Sequence, residues 1–222
     1  MIDTIMFIIE IIGMVAFAIS GAAAGIKAKF DVFGVVAVGS LTCIGGGITR
    51  DLLIGTTPPV IFSRWYMVAI AALVSLIFFI FAYVKHRQFR VLNAKIEQIN
   101  NFFDALGLAA FTVMGMEVAF AKGLQDNAFL AISLGLLTGV GGGVLRDILT
   151  EVTPYIFKKH IYALASILGA VLYYVLRLLG VDTIVLTVAS MAVVFAIRLL
   201  ATRFRWSLPK VHLDEEEEEI KN

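Results

Sequence analysis

Seven apolar stretches follow one another along this 222-residue chain, and they constrain its fold more than any other feature. Each has about the twenty residues that a helix needs to cross roughly 30 Å of hydrocarbon. They lie at Thr4 to Ala24, Phe33 to Ile54, Trp65 to Val84, Phe102 to Ala121, Ala128 to Leu149, Ile161 to Leu179 and Thr183 to Ala201. The runs are continuous rather than alternating with period two, so each is expected to satisfy its own backbone as a helix, which argues against a barrel. Hydrophobic residues make up 60% of the chain and charged ones 16%, and the mean hydropathy is +0.93. No soluble domain buries that much apolar surface, so the expected class is an all-α membrane protein with seven transmembrane helices.

The first stretch carries Asp3 where a signal peptide would have basic residues and is longer than a signal-peptide core, so it is expected to remain as a helix. Cys43 lies inside the second stretch; as a single cysteine it excludes an intrachain disulfide and reads as a small packing residue. His86, His160 and His212 are dispersed, and no nucleophile stands with a base. Neither an enzyme nor a cofactor, resident metal or nucleic-acid partner is expected.

Lysine and arginine divide the loops into two faces. Lys27, Lys29, Lys85, Arg87, Arg90, Lys95, Lys158, Lys159, Arg203, Arg205 and Lys210 fall on one, and Arg64, Lys122 and Arg177 on the other. The positive-inside rule makes the first face cytoplasmic, giving an inner (plasma) membrane protein with its N-terminus outside and its C-terminus inside. The acidic block Asp214 to Glu219 reads as a solvated tail, with gating against the basic loops as the alternative.

The chain repeats itself. Gly45-Gly46-Gly47-Ile48-Thr49-Arg50-Asp51-Leu52-Leu53 recurs as Gly141-Gly142-Gly143-Val144-Leu145-Arg146-Asp147-Ile148-Leu149. In the same register Gly39 and Thr42 match Gly135 and Thr138, and Thr57-Pro58 matches Thr153-Pro154. After a two-residue gap Glu10, Gly13, Ala16, Phe17 and Gly21 match Asp104, Gly107, Ala110, Phe111 and Gly115. Spans 1 to 3 (residues 4–84) are therefore repeated as spans 4 to 6 (residues 102–179). A cytoplasmic linker (85–101) lies between them, and a seventh span (183–201) and an acidic tail (206–222) follow. A unit of three spans enters the membrane from the opposite side in its second copy, so the repeats are inverted, and the meeting of the copies near the midplane is where a solute path is expected.

What is duplicated carries chemistry. Three successive glycines weaken a helix, glycine costing roughly 1 kcal/mol against alanine in a helix interior, so a kink or break is expected in helices 2 and 5. Carbonyls and amides freed there would line a polar path; the competing reading is close packing through small residues. Topology puts Glu10, Arg50 and Asp51 together near the outer side and Asp104, Arg146 and Asp147 near the inner side. Each set is acid, arginine, acid, read either as an ion-attracting gate or as an ion pair that clamps helix ends. Ser20, Thr42 and Thr138 add hydroxyls that would coordinate a dehydrating cation or bond their own helix backbone. Glu117 has no acidic counterpart in the first half and is expected to reach toward water and Lys122.

At the paired GGG-x-x-R-D elements with the following Thr-Pro, and at the E/D-x-x-G-x-x-A-F-x-x-x-G helices, the chain resembles bacterial membrane proteins with two glycine-transporter domains. These are related to the TRIC family of trimeric intracellular cation channels. The resemblance runs from about Glu10 to about Arg205. It implies a homotrimer embedded in membrane lipids, with one pore per protomer around kinked second and fifth helices, passing monovalent cations and chiefly potassium. It also implies the competing activity, uptake of glycine. By the same resemblance Gly45 to Gly47 and Gly141 to Gly143 are the pore-kinking positions, followed by the charged Arg50, Asp51, Arg146 and Asp147. Glu10 stands where the family usually has Asp. Three readings follow: a cation channel, a secondary transporter for glycine or another small neutral amino acid, and a structural bundle without transport.

Overall fold

The computed structural model of the protein describes residues 2–85, 93–158 and 161–206. The acidic tail, the three histidines and Arg87, Arg90, Lys159 and Lys210 lie outside the described residues, as do the side chains of Lys95 and Lys158. The described residues form helices and no strand. Seven helices are long and apolar enough to cross a membrane: α1 (Ile2–Lys27), α2 (Val32–Leu53), α3 (Tyr66–Val84), α4 (Asn93–Ala121), α5 (Ala128–Leu149), α6 (Ile161–Leu178) and α7 (Thr183–Arg203). A 3-10 turn, Val60–Phe62, precedes α3, and a one-turn helix, Tyr155–Lys158, precedes α6.

Polar caps set where spans begin. The Asp31 carboxylate accepts the Gly34 N–H at 2.8 Å at the start of α2. Ninety-six residues later Asn127 does the same for Leu130 at 3.0 Å at the start of α5, so the start signal sits in the register of the glycine motif. Asp182 caps α7 through the N–H groups of Ile184 and Val185. The ends match as well. Gly55 and Glu151 adopt positive φ, and the next amides, Thr56 and Val152, donate back to the carbonyls of Asp51 and Asp147.

The spans coincide with the apolar stretches to within a few residues except at the start of α4, which begins at Asn93. Residues 93–101, assigned from the sequence to the linker, are therefore helical. Hydropathy could not reveal this because Asn93–Asn101 is polar.

Helices α1, α2, α4 and α5 form the centre, each packed on two of the others: α1 on α4, α4 on α5, α2 on α5 and α1 on α2. Helix α3 covers α1 and α2, α6 covers α4 and α5, and α7 lies against α6 and α4. Where α1 meets α4, Phe17 and Phe111 are tilted against each other, ring centroids 5.2 Å apart. Leu73, Ile77, Ile80, Phe81 and Tyr83 of α3 are exposed, as a face turned to lipid would be.

Candidate functional site: a glycine crossing between two charged clusters

Helices α2 and α5 cross at their glycines. A Cβ on Gly46 would fall far inside contact distance of the Thr138 carbonyl, and one on Gly142 would collide in the same way with the Thr42 carbonyl. The contact is reciprocal. A Cβ on Gly141 would lie 3.0 Å from the Cα of Gly46, and one on Gly45 would strike the Leu145 side chain. Both helices run unbroken through the triplets, which corrects the expectation of a break that frees backbone groups. Close approach is what the glycines provide. The motif that does this was present in the sequence: Thr42 and Gly46, like Thr138 and Gly142, are four apart, the spacing of small residues at a membrane helix contact. Gly47 differs, since a Cβ there would meet only Arg50 Nη2, at 3.8 Å.

The threonine hydroxyls are committed to their own helices. Thr42 Oγ1 donates to Val38 O at 2.7 Å and Thr138 Oγ1 to Leu134 O at 2.6 Å. Ser20 is committed across helices: it accepts from Arg146 Nη1 at 2.6 Å and donates to Asn100 Oδ1 at 2.7 Å.

At one end of the bundle Arg146, fully buried, holds two carboxylates together. Its Nη1 donates to Asp104 Oδ1 at 2.6 Å and its Nε to Asp147 Oδ1 at 2.9 Å. The other Asp147 oxygen accepts the Tyr155 amide at 2.8 Å, so the carboxylate also starts the one-turn helix. The Arg146 guanidinium lies 5.2 Å from the Tyr155 ring centroid, and burial raises the pKa of the Tyr155 hydroxyl. The expected meeting of Asp104, Arg146 and Asp147 is thus realised.

At the opposite end the halves diverge. Arg50 binds Asp51 through Nε and Nη2, at 3.0 and 2.8 Å, and the other Asp51 oxygen accepts the Val60 amide at 2.9 Å, the counterpart of the Asp147–Tyr155 contact. Glu10 is paired instead with Arg64, at 3.4 Å, from the loop after α2. Glu10, Arg50 and Asp51 nevertheless line one cavity of about 260 Å³ together with Arg64, Lys122 and Thr138. A second cavity, of about 250 Å³, lies at the Arg146 end and is lined by Lys27, Glu97, Asn100, Asp147, Thr150 and Tyr155. These two cavities share no lining residue, and the α2/α5 crossing lies between them.

Three further observations depart from the sequence reading. Glu117 does not reach for Lys122; the Tyr173 hydroxyl donates to it from α6. Arg64 was assigned only to a loop, and its carboxylate partner lies 54 residues away in sequence. Arg198 of α7, buried against Asp104 and 4.7 Å from the Tyr162 ring centroid, was missed although its signal was plain: an arginine inside an apolar span needs a partner.

Seven membrane-length helices around a glycine crossing with a charged cavity at each end define a multi-pass membrane protein. The family model described as Glycine transporter matches residues 7–83 and again residues 101–178, and the chain belongs to that family. Among its relatives, the UPF0126 membrane protein of Vibrio cholerae is 32% identical over 94% of this chain and 84% of its own length. The UPF0126 inner membrane protein YadS of Escherichia coli K12 is 33% identical over 93% and 96%. A structure that describes conductance through TRIC cation channels is 34% identical, with TM-score 0.79, over 93% of this chain and 97% of the other. A prokaryotic TRIC channel solved in 0.5 M KCl is 30% identical, with TM-score 0.82, over 93% and 100%. The TRIC trimeric intracellular cation channel orthologue from Rhodobacter sphaeroides is 29% identical, with TM-score 0.81, over 91% and 100%.

Proposed function

We propose that the protein is a monovalent cation channel, chiefly for potassium, in the inner membrane, assembled as a homotrimer with a path inside each protomer. The observation that carries this reading is the pair of charge-lined cavities, entering from opposite ends of the bundle and separated by the α2/α5 crossing. A carboxylate stands in each, Asp51 or Asp147, and raises the local concentration of cations. The crossing is shut by two backbone carbonyls seated on glycines. Conduction therefore requires α2 and α5 to bend at Gly45–Gly47 and Gly141–Gly143 and move apart, which would turn the Thr42 and Thr138 carbonyls toward the opened path. Similarity to TRIC cation channels over nearly the whole chain supports the class and the trimer. Inverted repeats account for the reciprocal contact. Lys27, Lys29, Lys85, Arg203 and Arg205 support a cytoplasmic face at the Asp147 end, with the N-terminus outside.

The acid, arginine, acid sets act as ion-pair clamps at rest and as cation-attracting sites when the crossing opens. Among the described residues, none lining either cavity pairs a nucleophile with a base, which favours transport over catalysis. Purified protein in planar bilayers is expected to give unitary potassium currents. Saturable glycine counterflow without single-channel steps would overturn the channel reading in favour of the carrier that the family's description suggests.

A further inference from the structure

Each acid, arginine, acid set carries one negative charge more than its arginine neutralises, and each receives a second arginine from outside the duplicated motif. At the Asp51 end this is Arg64, whose side chain is 48% exposed and borders the cavity. At the Asp147 end it is Arg198 of α7, whose side chain is 2% exposed. Asp104 is fully buried, and both its hydrogen bonds, from Arg146 and from the Tyr162 hydroxyl at 3.3 Å, go to Oδ1. Asp104 Oδ2 accepts none, and neither Nε nor Nη2 of Arg198 donates one. The two groups stand 3.7 Å apart, in charge contact without a hydrogen bond.

We propose that Arg198 is a tethered counter-ion: its guanidinium occupies a latent monovalent-cation site beside Asp104 Oδ2 and keeps free potassium out of the buried carboxylate cluster. A carboxylate oxygen in a water-excluded site retains its full demand for positive charge. Arg198 meets that demand from a fixed helix, stacked on Tyr162, so the cluster stays neutral without taking an ion from solution. Without the guanidinium, Asp104, Arg146 and Asp147 hold an excess negative charge, and the vacated space adjoins Asp104 Oδ2, an oxygen ligand of the kind a hard cation takes. In conduction, which rests on the channel reading, the consequence is that permeating ions pass the Asp147 cavity without being trapped at Asp104.

The test is thermal unfolding of purified protein in KCl and in N-methyl-D-glucamine chloride at equal ionic strength. Arg198→Gln is expected to melt about 3 to 6 °C higher in potassium, the size of shift that occupancy of one cation site produces. Wild type, Arg198→Lys and Arg198→Gln/Asp104→Asn are expected to melt at the same temperature in both salts. A merely structural ion pair between Arg198 and Asp104 lowers the melting temperature of Arg198→Gln in both salts alike. Equal melting of Arg198→Gln in the two salts overturns the proposal, as does a potassium-specific shift in the wild type or the double variant. Should Arg198→Gln fold only when potassium is present and not in N-methyl-D-glucamine, the proposal stands, and failure to fold in both salts overturns it. The readout needs no current, so its failure leaves the channel reading untouched, and an absence of currents leaves this inference standing.

Discussion

The carbonyl oxygen of Thr138 occupies the place that a Cβ on Gly46 would require, and the carbonyl of Thr42 does the same to Gly142. Both obstacles are backbone, which cannot rotate aside as a side chain can. Gly46→Ala and Gly142→Ala are therefore each expected to cost at least about 1 to 3 kcal/mol, the usual penalty of overpacking. Gly47→Ala, where the nearest neighbour is an arginine tip at 3.8 Å, is expected to gain roughly 0.5 to 1 kcal/mol from helix propensity. Melting temperatures of the three variants check this directly: if all three behave alike, the crossing is not the tight point.

The two duplicated aspartates are expected to separate in stability while agreeing in function. Asp147→Asn leaves the fully buried Arg146 with one carboxylate and costs about 3 to 5 kcal/mol, as removal of a partner from a buried pair does. Asp51→Asn costs less because Arg50 borders a cavity and water reaches it. Both variants are expected to carry less potassium current per channel at low salt, since each removes a carboxylate from a mouth of the path. Unchanged unitary current in folded protein would remove that aspartate from conduction.

Much of this arrangement was legible in the sequence, and the parts that were not share a cause. The bounds of α5 follow from composition, because Asn127 caps the apolar run that begins at Ala128. The Asp104–Arg146–Asp147 cluster follows from helix direction alone, because the three residues fall at the same depth on adjacent helices. Glu10 and Arg50 satisfy the same rule and line the same cavity, yet the direct partner of Glu10 is Arg64, set by the course of the loop from Gly55 to Arg64. Periodicity does not encode such a course. The start of α4 was invisible to hydropathy because Asn93–Asn101 is polar. Counting glycines pointed to a weakened helix, whereas the spacing of Thr42 to Gly46 pointed to a contact, and the contact prevailed because the opposing helix presents the same pair.

Ser20 joins the halves and has Met114, not a hydroxyl residue, in the matching position of the second half. Ser20→Ala is expected to cost about 1 to 3 kcal/mol, because Asn100 loses its donor and Arg146 an acceptor inside the bundle. Thr42→Val removes a hydroxyl that serves only its own helix and is expected to cost less. Chemical or thermal unfolding of the two variants side by side gives the comparison, and equal losses would show that the Ser20 contacts add nothing.

Arg64 and Glu10 make an ion pair that a salt titration can reach. The pair is 3.4 Å apart and the arginine is half exposed, so breaking it is expected to cost under about 1 kcal/mol. Its effect on cation access is larger than its effect on stability. Arg64→Gln removes a positive charge from the mouth of the cavity and unmasks Glu10, which is expected to raise potassium conductance roughly twofold at about 0.05 M KCl. Glu10→Gln leaves Arg64 uncompensated and is expected to lower it. Both changes are expected to fade at about 1 M KCl, where the screening length falls to roughly 3 Å and the mouth charges no longer set the local ion concentration. Conductance measured across that salt range separates this from a change in the path itself, which would persist at high salt in either variant.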